Sequence, residues 1–200
     1  MVNEFFKLIK TNDDINEKLE KFYQLHIDCP FNLTTIKDKD EFYLKHYLDS
    51  IYIFQQSEEP KGRLADIGSG GGFPGIVIGI FYPDLKITLI ESISKKCKFL
   101  EESIQKLNLE NISVINDRVE NIKENKYDII TARGVATVKD VLKNSIHLSK
   151  KNTKWIMYKG EKLDEELSVA KQLFIKRNLY VEKIRIENPI TRSYCIINYR

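Results

Sequence analysis

Apolar residues recur with two different periods along this chain, and the change falls near residue 60. Before it the spacing is helical. Phe5, Phe6, Leu8 and Ile9 form a short stripe, and Ile15, Leu19, Phe22 and Leu25 form a second after the capping residues Asn12 and Asp13. A third follows Asp38, with Phe42, Leu44, Tyr47, Leu48, Ile51 and Phe54 apolar, so Met1 to about Gln56 reads as helical. The stretch Ser57 to Gly62 has the composition of a linker. From Arg63 onward short apolar runs alternate with helical patterns, as a parallel sheet with crossover helices requires. Strands are predicted at Arg63 to Ile67, Lys86 to Glu91, Ile112 to Asn116, Tyr127 to Thr131 and Thr153 to Tyr158. Helices are predicted at Gly75 to Phe81, Ser94 to Leu107, briefly near Val119, at Val138 to Leu148 and at Lys162 to Arg177. Tyr180 to Glu187 and Ser193 to Tyr199 then read as a hairpin joined through AsnProIleThrArg.

Five parallel strands and a terminal hairpin resemble the seven-stranded α/β sheet of Rossmann-like class I methyltransferases more than half of a dinucleotide dehydrogenase. With 200 residues, 42% of them hydrophobic, the chain suits one domain, a helical extension over 1–56 and a core over 63–200. No apolar run reaches the roughly 20 residues of a membrane span, and Glu4, Lys7 and Lys10 interrupt what would be a secretory signal, so a cytoplasmic protein is expected. Cys29, Cys97 and Cys195 stand far apart without a nearby histidine cluster, which argues against disulfides and zinc. The net charge is only +3, yet Lys95, Lys96 and Lys98, Lys150, Lys151 and Lys154, Lys159 and Lys162, and Lys176 and Arg177 cluster locally. Such clusters permit an RNA-binding face, although solvated helix surface looks the same.

The chemistry concentrates in ArgLeuAlaAspIleGlySerGlyGlyGlyPheProGly, Arg63 to Gly75. A strand ends here, and Gly68, Gly70 and Gly72 let the backbone turn sharply and approach a ligand before a helix begins. Gly70, Gly72 and Gly75 also satisfy the GxGxxG spacing, so a nicotinamide or flavin enzyme is a rival. Asp66, just before the glycines, would attract a cationic amino-acid end and repel a pyrophosphate. Pro74 places the helix start after the glycines. Both features favour S-adenosylmethionine. Glu91, closing the second strand, can accept from ribose hydroxyls in either class. Val119 and Glu120, after the third strand, are expected beside the adenine.

AsnLeuThr at Asn32 to Thr34, HisTyrLeuAspSer at His46 to Ser50, AspIleGlySerGlyGlyGlyPheProGly at Asp66 to Gly75 and AlaArgGlyValAla at Ala132 to Ala136 resemble the landmarks of the RsmG family, also called glucose-inhibited division protein B. The resemblance covers nearly the whole chain. It implies methylation of guanine N7 in bacterial 16S ribosomal RNA, with that RNA or the small-subunit particle as partner; a monomer is expected. It also implies a cofactor site lined by Gly68, Phe73, Val119, Glu120 and Arg133, with Glu91 on the ribose. Gly134 stands where members usually carry alanine.

His46, Asp49 and Ser50 lie at i, i+3 and i+4, on one face of a helix, where a converging triad is not expected. They are expected to tie the N-terminal helices to the rim of the site. Guanine N7 carries an in-plane lone pair, so attack on a sulfonium methyl needs no base, and orientation alone supplies about 7 to 11 kcal/mol. The rivals are a methyltransferase of another RNA or a small molecule, an NAD-dependent oxidoreductase, and a noncatalytic RNA-binding factor.

Overall fold

Strand β1 (Arg63–Ile67) buries four consecutive residues, the pattern of a strand covered on both faces. It lies inside a seven-stranded sheet of order β3-β2-β1-β4-β5-β7-β6, in a computed structural model that describes residues 2–56, 58–123 and 126–200. The neighbours of β1 are β2 (Lys86–Glu91) and β4 (Tyr127–Arg133), both parallel to it, with β3 (Ile112–Asn116) outside β2 and β5 (Ser149–Lys159) outside β4. The hairpin of β6 (Leu179–Ile186) and β7 (Arg192–Tyr199) adds antiparallel to β5 through β7. The chain order reverses between β1 and β4, so the carboxyl ends of these two strands flank the crevice where open α/β sheets bind ligands.

Two layers cover the sheet. One face packs against helices α1 (Val2–Leu8), α2 (Asp13–Ile27), α5 (Gly75–Phe81) and α6 (Ser94–Lys106), burying Phe5, Phe22, Ile76 and Leu100 with Leu89 and Tyr158 of the strands. The other buries Val141 of α7 (Val138–Ser145) and Ala170 of α8 (Leu163–Arg177) against Trp155 and Ile130. Helix α2 starts where the cap predicts, the Asn12 side chain accepting from Ile15 N at 2.8 Å.

Several boundaries move. Strand β4 runs to Arg133, so Arg133 closes the strand instead of following it. Strand β5 begins at Ser149, four residues earlier than predicted, because its register against β4 shifts between Tyr127 and Ile129. The Thr153 hydroxyl bridges the irregularity, donating to Tyr127 O and accepting from Lys150 N. The predicted helix to Leu148 ends at Ser145 and finishes as a 3₁₀ turn, Ile146–Leu148. The third N-terminal stripe is not one α-helix: α3 (Lys39–Phe42) passes into a π-helical segment, Tyr43–Leu48, and then into α4 (Asp49–Gln55). Met1 of the first helical stretch and Ser57 of the linker lie outside the described residues.

Candidate active site

The loop after β1 turns at Gly68, where φ is +64°, and its N–H returns to Ile90 O of β2 at 2.8 Å. The positive φ strains any side chain placed here, and its Cβ would lie 2.6 Å from Val135 Cγ2 on the loop that follows β4, so that Val135 would have to shift. The two loops therefore close on each other at one point and leave space on either side.

On one side is a cavity of about 290 Å³ between β1, β2 and the turn after β3. Ile67, Ile90, Val119 and Val141 give it apolar walls, and Ser92 and Glu120 give it polar edges. On the other side a cleft of about 800 Å³ runs from the ends of β4 and β5 to the N-terminal helices, α8 and the β6–β7 turn. Ala136 lines both.

The floor of the cleft is an ion cluster around Asp49, whose side chain is 1% exposed. Arg192 donates to it twice, from Nε to Oδ1 at 2.6 Å and from Nη2 to Oδ2 at 2.7 Å, and Arg133 donates from Nη1 to Oδ2 at 2.9 Å. Two guanidiniums on one carboxylate leave net positive charge facing the cleft, which Lys45 and Lys159 also line. Buried tyrosines fix the backbone beneath: Tyr158 donates to Ser50 O and Tyr194 to Asp49 O.

Arg133 also reaches His46 Nδ1 at 3.1 Å and lies over the Phe73 ring, on which His46 itself stacks at 4.4 Å. Arginine has no acceptor, so Nδ1 must present its lone pair and Nε2 must carry the proton donated to Thr34 Oγ1 at 2.8 Å. Burial, helped by the positive charge of Arg133, pulls the His46 pKa from 6.5 to about 3. Between those values the unfolded chain holds a proton that the folded chain does not. The histidine's contribution to stability is therefore complete above about pH 6.5 and is lost as the pH falls toward about 3. We expect His46→Gln to melt with a shallower acid limb than the parent over that range. Ring ¹⁵N shifts should report the neutral Nε2–H tautomer still present at pH 5; an imidazolium there would contradict the assignment.

A family model described as rRNA small subunit methyltransferase G matches residues 15–192. The chain belongs to this family. It is 39% identical over 184 residues to ribosomal RNA small subunit methyltransferase G of Mycoplasma capricolum, covering 90% of this chain and 80% of that one. It is 35% identical over 172 residues to the Thermotoga maritima protein of that name, covering 84% and 71%. Among solved structures, a mutant of MtNAS in complex with S-adenosylmethionine superposes with a TM-score of 0.65 at 16% identity, over 93% of this chain and 73% of that one. Ribosomal protein L11 methylase of Lactobacillus delbrueckii superposes with 0.63 at 14%, over 78% and 79%. These likenesses show the Rossmann-like methyltransferase fold.

Within this chain the expected site residues separate into three groups and a lone residue, Asp66. Gly68, Val119 and Glu120 line the smaller cavity together. Arg133 opens on the larger cleft, with Phe73 packed beneath it and His46. Gly70 and Glu91 meet each other: Gly70 N donates to Glu91 Oε2 at 2.9 Å, and Oε1 accepts from Ile93 N. Asp66 is fully buried, and its carboxylate accepts from the Thr131 hydroxyl at 2.8 Å and from Gly75 N at 3.1 Å. It braces the loop against the start of α5. Burial lifts its pKa to about 6, against the pull of those hydrogen bonds. His46 and Asp49 do tie the N-terminal helices to the rim, both through Arg133, while Ser50 donates back to His46 O. Of the basic clusters offered for RNA, Lys159 lines the cleft from the end of β5, whereas sequence reasoning missed Arg192 and Glu166, which line it from the hairpin and α8. Only their placement at element ends on the carboxyl side of the sheet could have singled them out.

Proposed function

We propose that this protein transfers a methyl group from S-adenosylmethionine to N7 of a guanine in small-subunit ribosomal RNA. The observation that carries the reading is the junction at Ala136, where an apolar-walled cavity closed by a glycine loop meets a cleft of positive floor. A cavity lined by the bare backbone of Gly68 suits a ligand lying close to backbone. The flat space between Ile90 and Val119 suits adenine, with Glu120 at its edge, and the lone pairs that Glu91 retains suit ribose hydroxyls. When bound, the cofactor supplies a methyl group on a sulfonium centre, an electrophile that an aromatic nitrogen can attack directly.

The cleft is suited to an acceptor that needs no deprotonation. Both nitrogens of His46 are engaged and both oxygens of Asp49 are held by arginines, so neither serves as a general base. Arg133, Lys159 and Arg192 instead offer donors to phosphate, and binding should weaken as salt rises. N7 faces the deep, narrow major groove of A-form RNA, so the target guanine must be unpaired or drawn out of its stack. These features favour structured RNA over a small molecule, which a closed apolar pocket would hold better. Mapping of N7-methylguanine in small-subunit RNA from cells with and without the gene tests the assignment. The mark should appear only where the gene is present, and its presence in both would contradict the proposal.

A further inference from the structure

Guanine differs from adenine in presenting two adjacent donors, N1–H and the 2-amino group, and a carboxylate oxygen is the natural acceptor for such a pair. The cleft is lined by two carboxylates among the described residues. Asp49 is 1% exposed with both oxygens held by arginines. Glu166, in the first turn of α8, is different. Its Oε2 accepts from Lys159 Nζ at 2.7 Å and from Val138 N at 2.8 Å, while Oε1 has no hydrogen-bond partner among the described residues. The side chain is 23% exposed, enough to be reached. Lys159 is itself anchored by donating to Ala136 O at 2.6 Å, so the carboxylate is held from one side and offered from the other. Ile36, Pro189 and Ile190 add apolar surface in the same cleft against which a flat base can lie.

We propose that Oε1 of Glu166 accepts hydrogen bonds from N1–H and the 2-amino group of the target guanine, and so selects that base. The inference rests on the cleft being the site of the acceptor base, as proposed above. It also bears on the chemistry. As the methyl passes to N7, the sulfonium charge is lost and the purine ring becomes cationic with no proton released. A carboxylate on the far edge of the ring then gains attraction in the transition state.

Glu166→Gln separates this role from bracing. The glutamine carbonyl can replace Oε2 beneath Val138 N and Lys159 Nζ, but its amide nitrogen then stands at the Oε1 position, where it donates and cannot accept. The assay measures methyl transfer to reconstituted small subunits whose RNA carries either guanosine or inosine, which lacks the 2-amino group, at the nucleotide found by mapping. The parent protein should prefer guanosine by roughly 10- to 100-fold, the range for one hydrogen bond to a charged acceptor. In Glu166→Gln the guanosine rate should fall by a similar factor and the preference should collapse toward unity. Its melting temperature and its affinity for S-adenosylhomocysteine should match the parent. A variant that keeps the full preference, or a parent that methylates both RNAs equally, would overturn the inference while leaving the reading of the site intact. A parent that methylates neither would remove both.

Discussion

Gly68→Val should leave a folded protein that takes up S-adenosylmethionine at least about 100-fold more weakly, a loss of about 2.8 kcal/mol. Two effects combine. The backbone at this residue has φ +64°, a conformation that costs a side-chain-bearing residue about 1–2 kcal/mol and a β-branched one more. The new Cβ would also begin 2.6 Å from Val135 Cγ2, and since Gly68 and Val135 both line the cavity, the displacement falls on its wall. Val135 is 45% exposed and lies in a loop, so it can yield and the fold can survive. The cavity cannot yield without losing its shape. Equilibrium titration with S-adenosylhomocysteine beside thermal melting separates the two effects. A melting temperature near that of the parent with affinity within threefold of it would mean that the ligand does not lie here.

Asp49→Ala should be the most destabilising change at the cleft. Its carboxylate takes three short charge-assisted bonds from Arg133 and Arg192, whose side chains are 14% and 25% exposed. Removing one partner from such a cluster costs about 3–5 kcal/mol, because the cations stay where they are without compensation. For a chain of this size that corresponds to a fall of roughly 6–20 °C in melting temperature. Asp49→Asn keeps the volume and an acceptor oxygen, so its loss should be smaller. Methyl transfer should fall in both, since Arg133 would lose the contact that fixes it over Phe73. Thermal melts that place Asp49→Ala within a degree or two of the parent would show that the arginines carry the cluster without it.

The parts of this molecule that depend on local pattern were legible from residues alone. Alternating apolar runs located each strand of the sheet, and Pro74 and the glycines before it located the start of α5 after a turn and not within it. What escaped depends on distant contacts. Nothing near Arg192 announces that it will meet Asp49, 143 residues away. The sequence shows the charge of Asp66 but not its burial; only the tertiary fold encloses it between Thr131 and Gly75. The His46, Asp49 and Ser50 spacing was read on an α-helical wheel, yet the turn before Asp49 is π-helical, a form often found at functional sites. The spacing predicts the bridging role of His46 and Asp49 but not the partner they share, Arg133.

A crystal structure with bound S-adenosylmethionine examines the central claim most directly. Adenine should lie against Val119 and Glu120, the ligand's backbone-facing side over Gly68, and its methyl group should be directed past Ala136 into the cleft of Arg133 and Arg192. Density for the ligand elsewhere, or a methyl group pointing away from that cleft, would contradict it.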